Sequence, residues 1–222
     1  MRGLPVLCFL HTAPQHVAGF ERLVSERRPG LRQRHVVAPE LLAQAQAQGA
    51  NAPAVVAEVQ AAMRAAAALD GAALVVCTCS TIGGAAERTE TGGRFVAQRI
   101  DRAMADLAVQ RGQRVLVAAA LQSTLAPTLA LLGESARALG RPLAPQTLWI
   151  EGAWAHFLAG DAAAYAQAIA AALRREPPQA EVLLLAQASM APAAALLQDL
   201  GLPVLSSPVS GVERALALLD GV

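Results

Sequence analysis

Residues 75–84 read VVCTCSTIGG and bring two thiols to the point where an apolar, β-branched run gives way to hydroxyls and glycine. A buried strand that ends in this way delivers sulfur to the mouth of a sheet, beside the amides that open a helix. Thiolate is the reactive form of cysteine, and a free thiol with a pKa of about 8.5 is only a few per cent ionised at neutral pH. A helix beginning within residues 82–86 is expected to raise that fraction. Cys79 is therefore the first candidate for proton transfer or covalent addition. Cys77 lies two residues earlier and would share its face of an extended strand. Cys-x-Cys without a second cluster of Cys or His is a weak zinc signal, so Cys77 is assigned to the core and no metal is expected. Cys8 sits inside another apolar run and is assigned to packing.

Hydroxyls recur at comparable places. Ser80 and Thr81 follow Cys79, Ser123 and Thr124 follow the apolar run 114–120, and Ser189-Met190 follows the run 181–186. With neighbouring backbone amides, such groups can hold a carboxylate without a positive side chain; each alone also suits a helix cap. His11-Thr12 follows the first apolar run. A histidine there titrates near neutrality and suits a general acid or a carboxylate-orienting group, against the alternative of a surface loop residue. His16, His35 and His156 receive no role. Asp101 is expected to cap a helix starting near Arg102, with Arg99 as a group that reaches an acidic substrate. Trp149 and Trp154, on either side of Glu151 after the sixth strand, are expected to pack in the core, against the alternative of covering the cleft.

The elements that must position these residues are short apolar runs alternating with longer helix-compatible segments, the pattern of a parallel α/β sheet. Strands are expected at 4–10, 33–37, 73–78, 94–100, 114–120, 146–151, 181–186 and 203–206. Shifting the chain by 109 residues puts Val6-Leu7 on Val115-Leu116, Leu74-Val75-Val76 on Leu183-Leu184-Leu185, and Phe95-Val96 on Val204-Leu205. Constant spacing over three elements points to a duplication. The expected fold is thus α/β, with two pseudo-symmetric lobes, each a parallel four-stranded sheet flanked by helices, and a cleft between them. Residues 1–97 and 206–222 would form the first lobe and residues 98–205 the second. Ligands in open α/β sheets bind beyond the carboxyl ends of the strands, which is where the thiol and hydroxyl segments fall.

Composition narrows the chemistry. Hydrophobic residues make up 55% of the 222 residues and charged residues 16%, which favours an interior-rich globular chain over disorder. All 18 basic residues are arginine, so neither a lysine Schiff base nor a P-loop GK[ST] motif is available. A formal net charge of +1 and the lack of a basic cluster argue against a nucleic-acid partner. No apolar stretch reaches the roughly 20 residues of a membrane span. The N-terminal MRGLPVLCFLHTAP reads as a first strand rather than a signal peptide. Three cysteines without an export signal suggest reduced thiols in the cytoplasm.

In order and spacing, VVCTCST, ALQSTLAPT at 120–128, LLLAQASM at 183–190 and QRIDRAM at 98–104 resemble the aspartate/glutamate racemase superfamily, whose relatives include hydantoin racemases, maleate isomerases and arylmalonate decarboxylases. The resemblance implies two α/β halves and a cysteine from each half facing the substrate α-carbon, with no cofactor and often a homodimer. Cys79 matches the first cysteine. The second falls on Ala188, which has no proton to give. The implied catalytic residues are Cys79 and His11, and the implied substrate-binding residues are Thr12, Ser80, Thr81, Ser123, Thr124, Ser189 and Met190. The expected function is a cofactor-independent isomerase or lyase acting on a small carboxylic acid or amino-acid derivative through one cysteine. The alternative is a small-carboxylate binding protein that does not turn its ligand over.

Overall fold

The computed structural model describes residues 5–175 and 179–221. Leu4, the expected start of the first strand, lies outside the described residues. The expected strands form as β1 (Val6–His11), β2 (Arg32–Val37), β3 (Leu74–Cys77), β4 (Val96–Arg99), β5 (Arg114–Ala119), β6 (Ala144–Trp149), β7 (Val182–Leu185) and β8 (Val204–Ser206). They build two four-stranded sheets, ordered β2-β1-β3-β4 and β6-β5-β7-β8, with every pairing parallel. The chain divides into two compact units, residues 1–100 with 208–222, and residues 101–207. Among the described residues no helix is long and apolar enough to cross a membrane.

In the first unit the central strands β1 and β3 are buried throughout, as parallel strands covered on both faces must be. One face carries Cys8, Leu10, Val75 and Cys77. They pack on Val55, Val59 and Met63 of α3 (Pro53–Ala68), Leu41 and Ala45 of α2 (Pro39–Gln48), and Ala85 and Ala86 of the short α4 (Gly83–Glu87). Proline opens both α2 and α3, where a missing N–H costs nothing. On the other face Phe9 meets Phe20 of α1 (Val17–Arg27) at a ring separation of 5.2 Å. Gly211 of the C-terminal helix (Ser207–Leu219) presses on Ile100 so closely that a Cβ there would stand 2.1 Å from the Ile100 carbonyl oxygen. The edge strand β2, RQRHVV, is half-exposed and charged, which blunts an otherwise open edge.

The second unit repeats this plan. Val115, Val117, Val182 and Leu184 pack on Met104, Ala105 and Ala108 of α5 (Arg102–Arg111) and on Leu131, Leu132 and Ala136 of α6 (Leu125–Leu139). Its edge strand β6 is exposed along most of its length and contains Pro145. Gly140 ends α6 in the left-handed region, at φ 62°.

Register shows where the 109-residue offset holds. Leu7 pairs with Leu74, and Leu116 pairs with Leu183, so β1/β3 and β5/β7 match residue for residue at that offset. The fourth strands do not. Leu74 pairs with Val96 but Leu183 pairs with Val204, an offset of 108, so the expected superposition of Phe95-Val96 on Val204-Leu205 is one residue out. A slip of one turns each side chain to the opposite face. The 108 alignment matches Ala97 with Leu205, and both pack into the α/β core of their own unit.

Candidate active site

Beyond Cys77 the chain leaves β3 through Thr78, whose amide still bonds the Leu10 carbonyl at 3.0 Å, and turns at Cys79. Cys79 is a free, half-buried cysteine. The hydroxyls of Thr12 and Thr81 and the backbone amides of Thr81 and Ile82 hydrogen-bond its sulfur. Thr12 comes from the end of β1 and Thr81 from the loop opening α4, so the fold brings three of the expected site residues together at the carboxyl edge of one sheet. The expected lowering of the thiol pKa is not the net result. Burial pushes the Cys79 thiol above its ordinary value and outweighs the four donors, first among them Thr12. At five residues, α4 contributes individual amides rather than a long aligned dipole.

His11 is not a loop residue. It is the last residue of β1, is fully buried, and has both ring nitrogens engaged. The bonds define a direction. Thr78 Oγ1 donates to the Leu10 carbonyl at 3.3 Å and so accepts from His11 Nδ1 at 2.8 Å. His11 Nε2 then accepts from His35 Nδ1 at 2.9 Å, which leaves His35 Nε2 as a buried acceptor without a hydrogen-bond partner. The His11 and His35 rings stack at 5.2 Å, with Phe9 5.3 Å from His35 and Phe20 5.6 Å from His11. In this setting burial, then the neighbouring His35 and His16, lower the His11 pKa to about 3. His16, 6.2 Å from the His11 ring, is lowered to about 4 by burial, and His35 is lowered for the same reason. His11 is thus a neutral strut holding Thr78, the residue before Cys79. His35, to which sequence reasoning assigned nothing, becomes its neighbour only through the β1–β2 register, which sets Phe9 opposite His35.

Ser80 is buried and its Oγ has no hydrogen-bond partner, while its carbonyl accepts from Arg99 Nη2 at 3.3 Å. Arg99 is buried as well, and its guanidinium lies over Gly83, where a Cβ would come within 2.9 Å of Nε. Glycine at 83 is therefore what lets this cation approach the Cys79 loop from behind. Asp101 occupies the N-cap position of α5 but makes no side-chain cap hydrogen bond, which corrects the expected capping role. Cys77 and Cys8 are fully buried, and burial raises Cys8 to about 11.

In the second unit Gln187 stands at the place of Thr78 under the 109-residue offset and has a parallel task. Its Oε1 accepts from the amides of Ala120 at 2.7 Å and Leu121 at 3.1 Å, tying the end of β5 to the end of β7. Ala188 follows, buried, where the first unit has Cys79. Ser189 Oγ meets Tyr165 Oη at 3.1 Å, and burial pushes the Tyr165 phenol up to about 12. Met190 is fully buried, its amide bonded to the Gln187 carbonyl at 2.9 Å. Thr124 is buried and its carbonyl accepts from Thr128 Oγ1 at 2.9 Å, whereas Ser123 Oγ is buried without a hydrogen-bond partner. Trp154 stacks on Phe157 at 4.5 Å, but Trp149 is 43% exposed at the end of an edge strand, which corrects its expected place in the core.

No sequence-family model matches the chain, and no curated protein sequence matches it. Solved structures do match. A glutamate racemase from Bacillus anthracis is similar at 14% identity and a TM-score of 0.71, over 98% of this chain and 82% of that one. An aspartate racemase from Picrophilus torridus is similar at 14% identity and a TM-score of 0.70, over 97% and 94%. An allantoin racemase from Klebsiella pneumoniae is similar at 18% identity and a TM-score of 0.64, over 97% and 88%. At these identities the likeness is one of architecture: the chain shares the fold of these racemases.

Proposed function

We propose that this chain is a cofactor-independent enzyme of isomerase or lyase type that acts on a small carboxylic acid through Cys79 alone. The observation that carries the reading is the Cys79 sulfur itself, protonated by burial yet met by two hydroxyls and two amides. A thiol so placed is an acid. It gives its proton to a carbanion next to a carboxylate, and the thiolate left behind is stabilised by donors already in position. With Ala188 at the corresponding place of the second unit, no second thiol is available to take a proton, so exchange is one-sided. The electron pair on carbon comes from loss of another group, such as a carboxyl leaving as CO2. The Sγ–H bond breaks as the new C–H bond forms, and solvent returns a proton to sulfur. Ser80, whose Oγ lacks a hydrogen-bond partner, together with Thr12 and Thr81, supports holding the substrate carboxylate; Ser123, Thr124, Ser189 and Met190 are the second unit's substrate-binding candidates. His11 supports the site by fixing Thr78 rather than by exchanging protons.

The test is turnover of substituted malonates, α-amino acids, hydantoins and maleate in D2O, read by mass spectrometry. The expected product carries one solvent deuterium at the α-carbon, and Cys79→Ala abolishes its formation. Wild-type turnover by Cys79→Ala would overturn the proposal. Saturable binding of these acids with no product would favour the binding protein instead.

A further inference from the structure

A pocket of about 360 Å³ lies at the opposite end of the first sheet, lined by Arg64, Ala67, Ala68, Gly71, Ala72, Arg94 and Phe95. Its volume is at the small end of the range for organic ligands. Ala72 precedes β3 and Phe95 precedes β4, whereas Cys79 follows β3. Seven residues of extended chain separate Ala72 from Cys79, roughly 23 Å, so this pocket is not part of the Cys79 site.

Its chemistry is two-sided. Ala67, Ala72 and Phe95 are buried and give an apolar wall without side-chain donors or acceptors. Arg64 and Arg94 are exposed, and neither has an ion-pair partner among the described residues; the one side-chain bond of Arg94 is from Nε to the Thr91 carbonyl at 3.4 Å. The nearby carboxylate of Asp70, next to Gly71, is already paired with Arg34 and does not neutralise them. Two exposed arginines lining a pocket with an apolar wall suit a ligand with a compact apolar body and a doubly charged head, because arginine meets phosphate oxygens through paired N–H groups.

We propose that this pocket is a second ligand site, for a phosphate monoester with a small apolar body, its phosphate held by Arg64 and Arg94 and its body on Phe95 and Ala72. The test is isothermal titration of the whole chain with phenyl phosphate, benzoate and inorganic phosphate. Phenyl phosphate is expected to bind saturably, tighter than ~1 mM, with benzoate and inorganic phosphate each at least ~10-fold weaker. Arg64→Gln and Arg94→Gln, checked for unchanged thermal unfolding, are each expected to weaken phenyl phosphate by ~10-fold or more, and Cys79→Ser to leave it unchanged. Absence of saturable binding, equal binding of inorganic phosphate, indifference to both arginine variants, or loss in Cys79→Ser would each overturn the proposal.

Discussion

Acid should destabilise this protein well before its carboxylates are protonated, through the histidines under β1. His11 is buried and neutral with a pKa of about 3 against an ordinary 6.5, and His16 lies at about 4. For a base whose folded pKa is depressed, the unfolded chain takes up the proton first. Stability is then complete above the unfolded pKa and falls as pH drops from it toward the folded value. Between about pH 7 and about pH 5 each of these two groups, at 1.36 kcal/mol per unit, removes about 2 kcal/mol. Replacing His11 by Phe removes one of those contributions. It also strands the part-buried His35 Nδ1 donor, at a cost of about 1 kcal/mol. The variant should therefore be less stable at about pH 8 but should lose about 2 kcal/mol less than the parent on going to about pH 5. Urea unfolding at several pH values reads both effects, and proton NMR of the ring Hε1 reads the titrations directly. A parent whose stability is flat from about pH 7 to about pH 5, or a His11 midpoint near the ordinary value, would refute the buried hydrogen-bond chain.

Four further outcomes follow from local contacts or their absence. The rate of Cys79 alkylation by iodoacetamide should rise with a midpoint above that of a free thiol, and Thr12→Val should move it higher by removing the leading donor to sulfur; a midpoint unmoved in that variant would show that Thr12 does not hold the thiolate. Gly211→Ala should cost about 1–3 kcal/mol or more in urea unfolding because its Cβ meets the Ile100 carbonyl oxygen. Gly19→Ala, in α1 with nothing within 4 Å, should instead gain about 0.5–1 kcal/mol. Gln187→Leu should cost about 1–3 kcal/mol for the amide of buried Ala120 and weaken exchange protection at Ala120 and Leu121.

What the sequence disclosed and what it hid divide along range of interaction. Central parallel strands such as LVVC and VLLL are apolar without alternation because both faces are buried, so they were legible as runs. The one-residue slip of β8 was not, since an apolar strand looks the same in either register and only packing of Leu205 rather than Val204 into the core decides it. Cys79 was visible because a thiol followed by two hydroxyls and two glycines is a local pattern. The direction of its titration was not local. The amides of Thr81 and Ile82 are neighbours in the chain, but Thr12 arrives from β1 and the burial comes from the folded core around the loop. His35 shows the same limit: an edge-strand histidine acquires meaning only when parallel pairing lays it 2.9 Å from a histidine 24 residues away.

In the reaction proposed for Cys79, the same competition sets the chemistry. Donors aimed at a sulfur lower the cost of its anion, while burial raises that cost in the resting state. Where burial wins at rest, the proton stays on sulfur until a reacting carbon takes it, and the donors act on the charge that appears afterwards. Under the proposed reaction, Thr12, Thr81 and the two amides would thus act mainly in the transition state. Removing a hydroxyl should accordingly slow the chemical step more than it weakens substrate binding, a split between kcat and KM that a purely structural role for Thr12 would not produce.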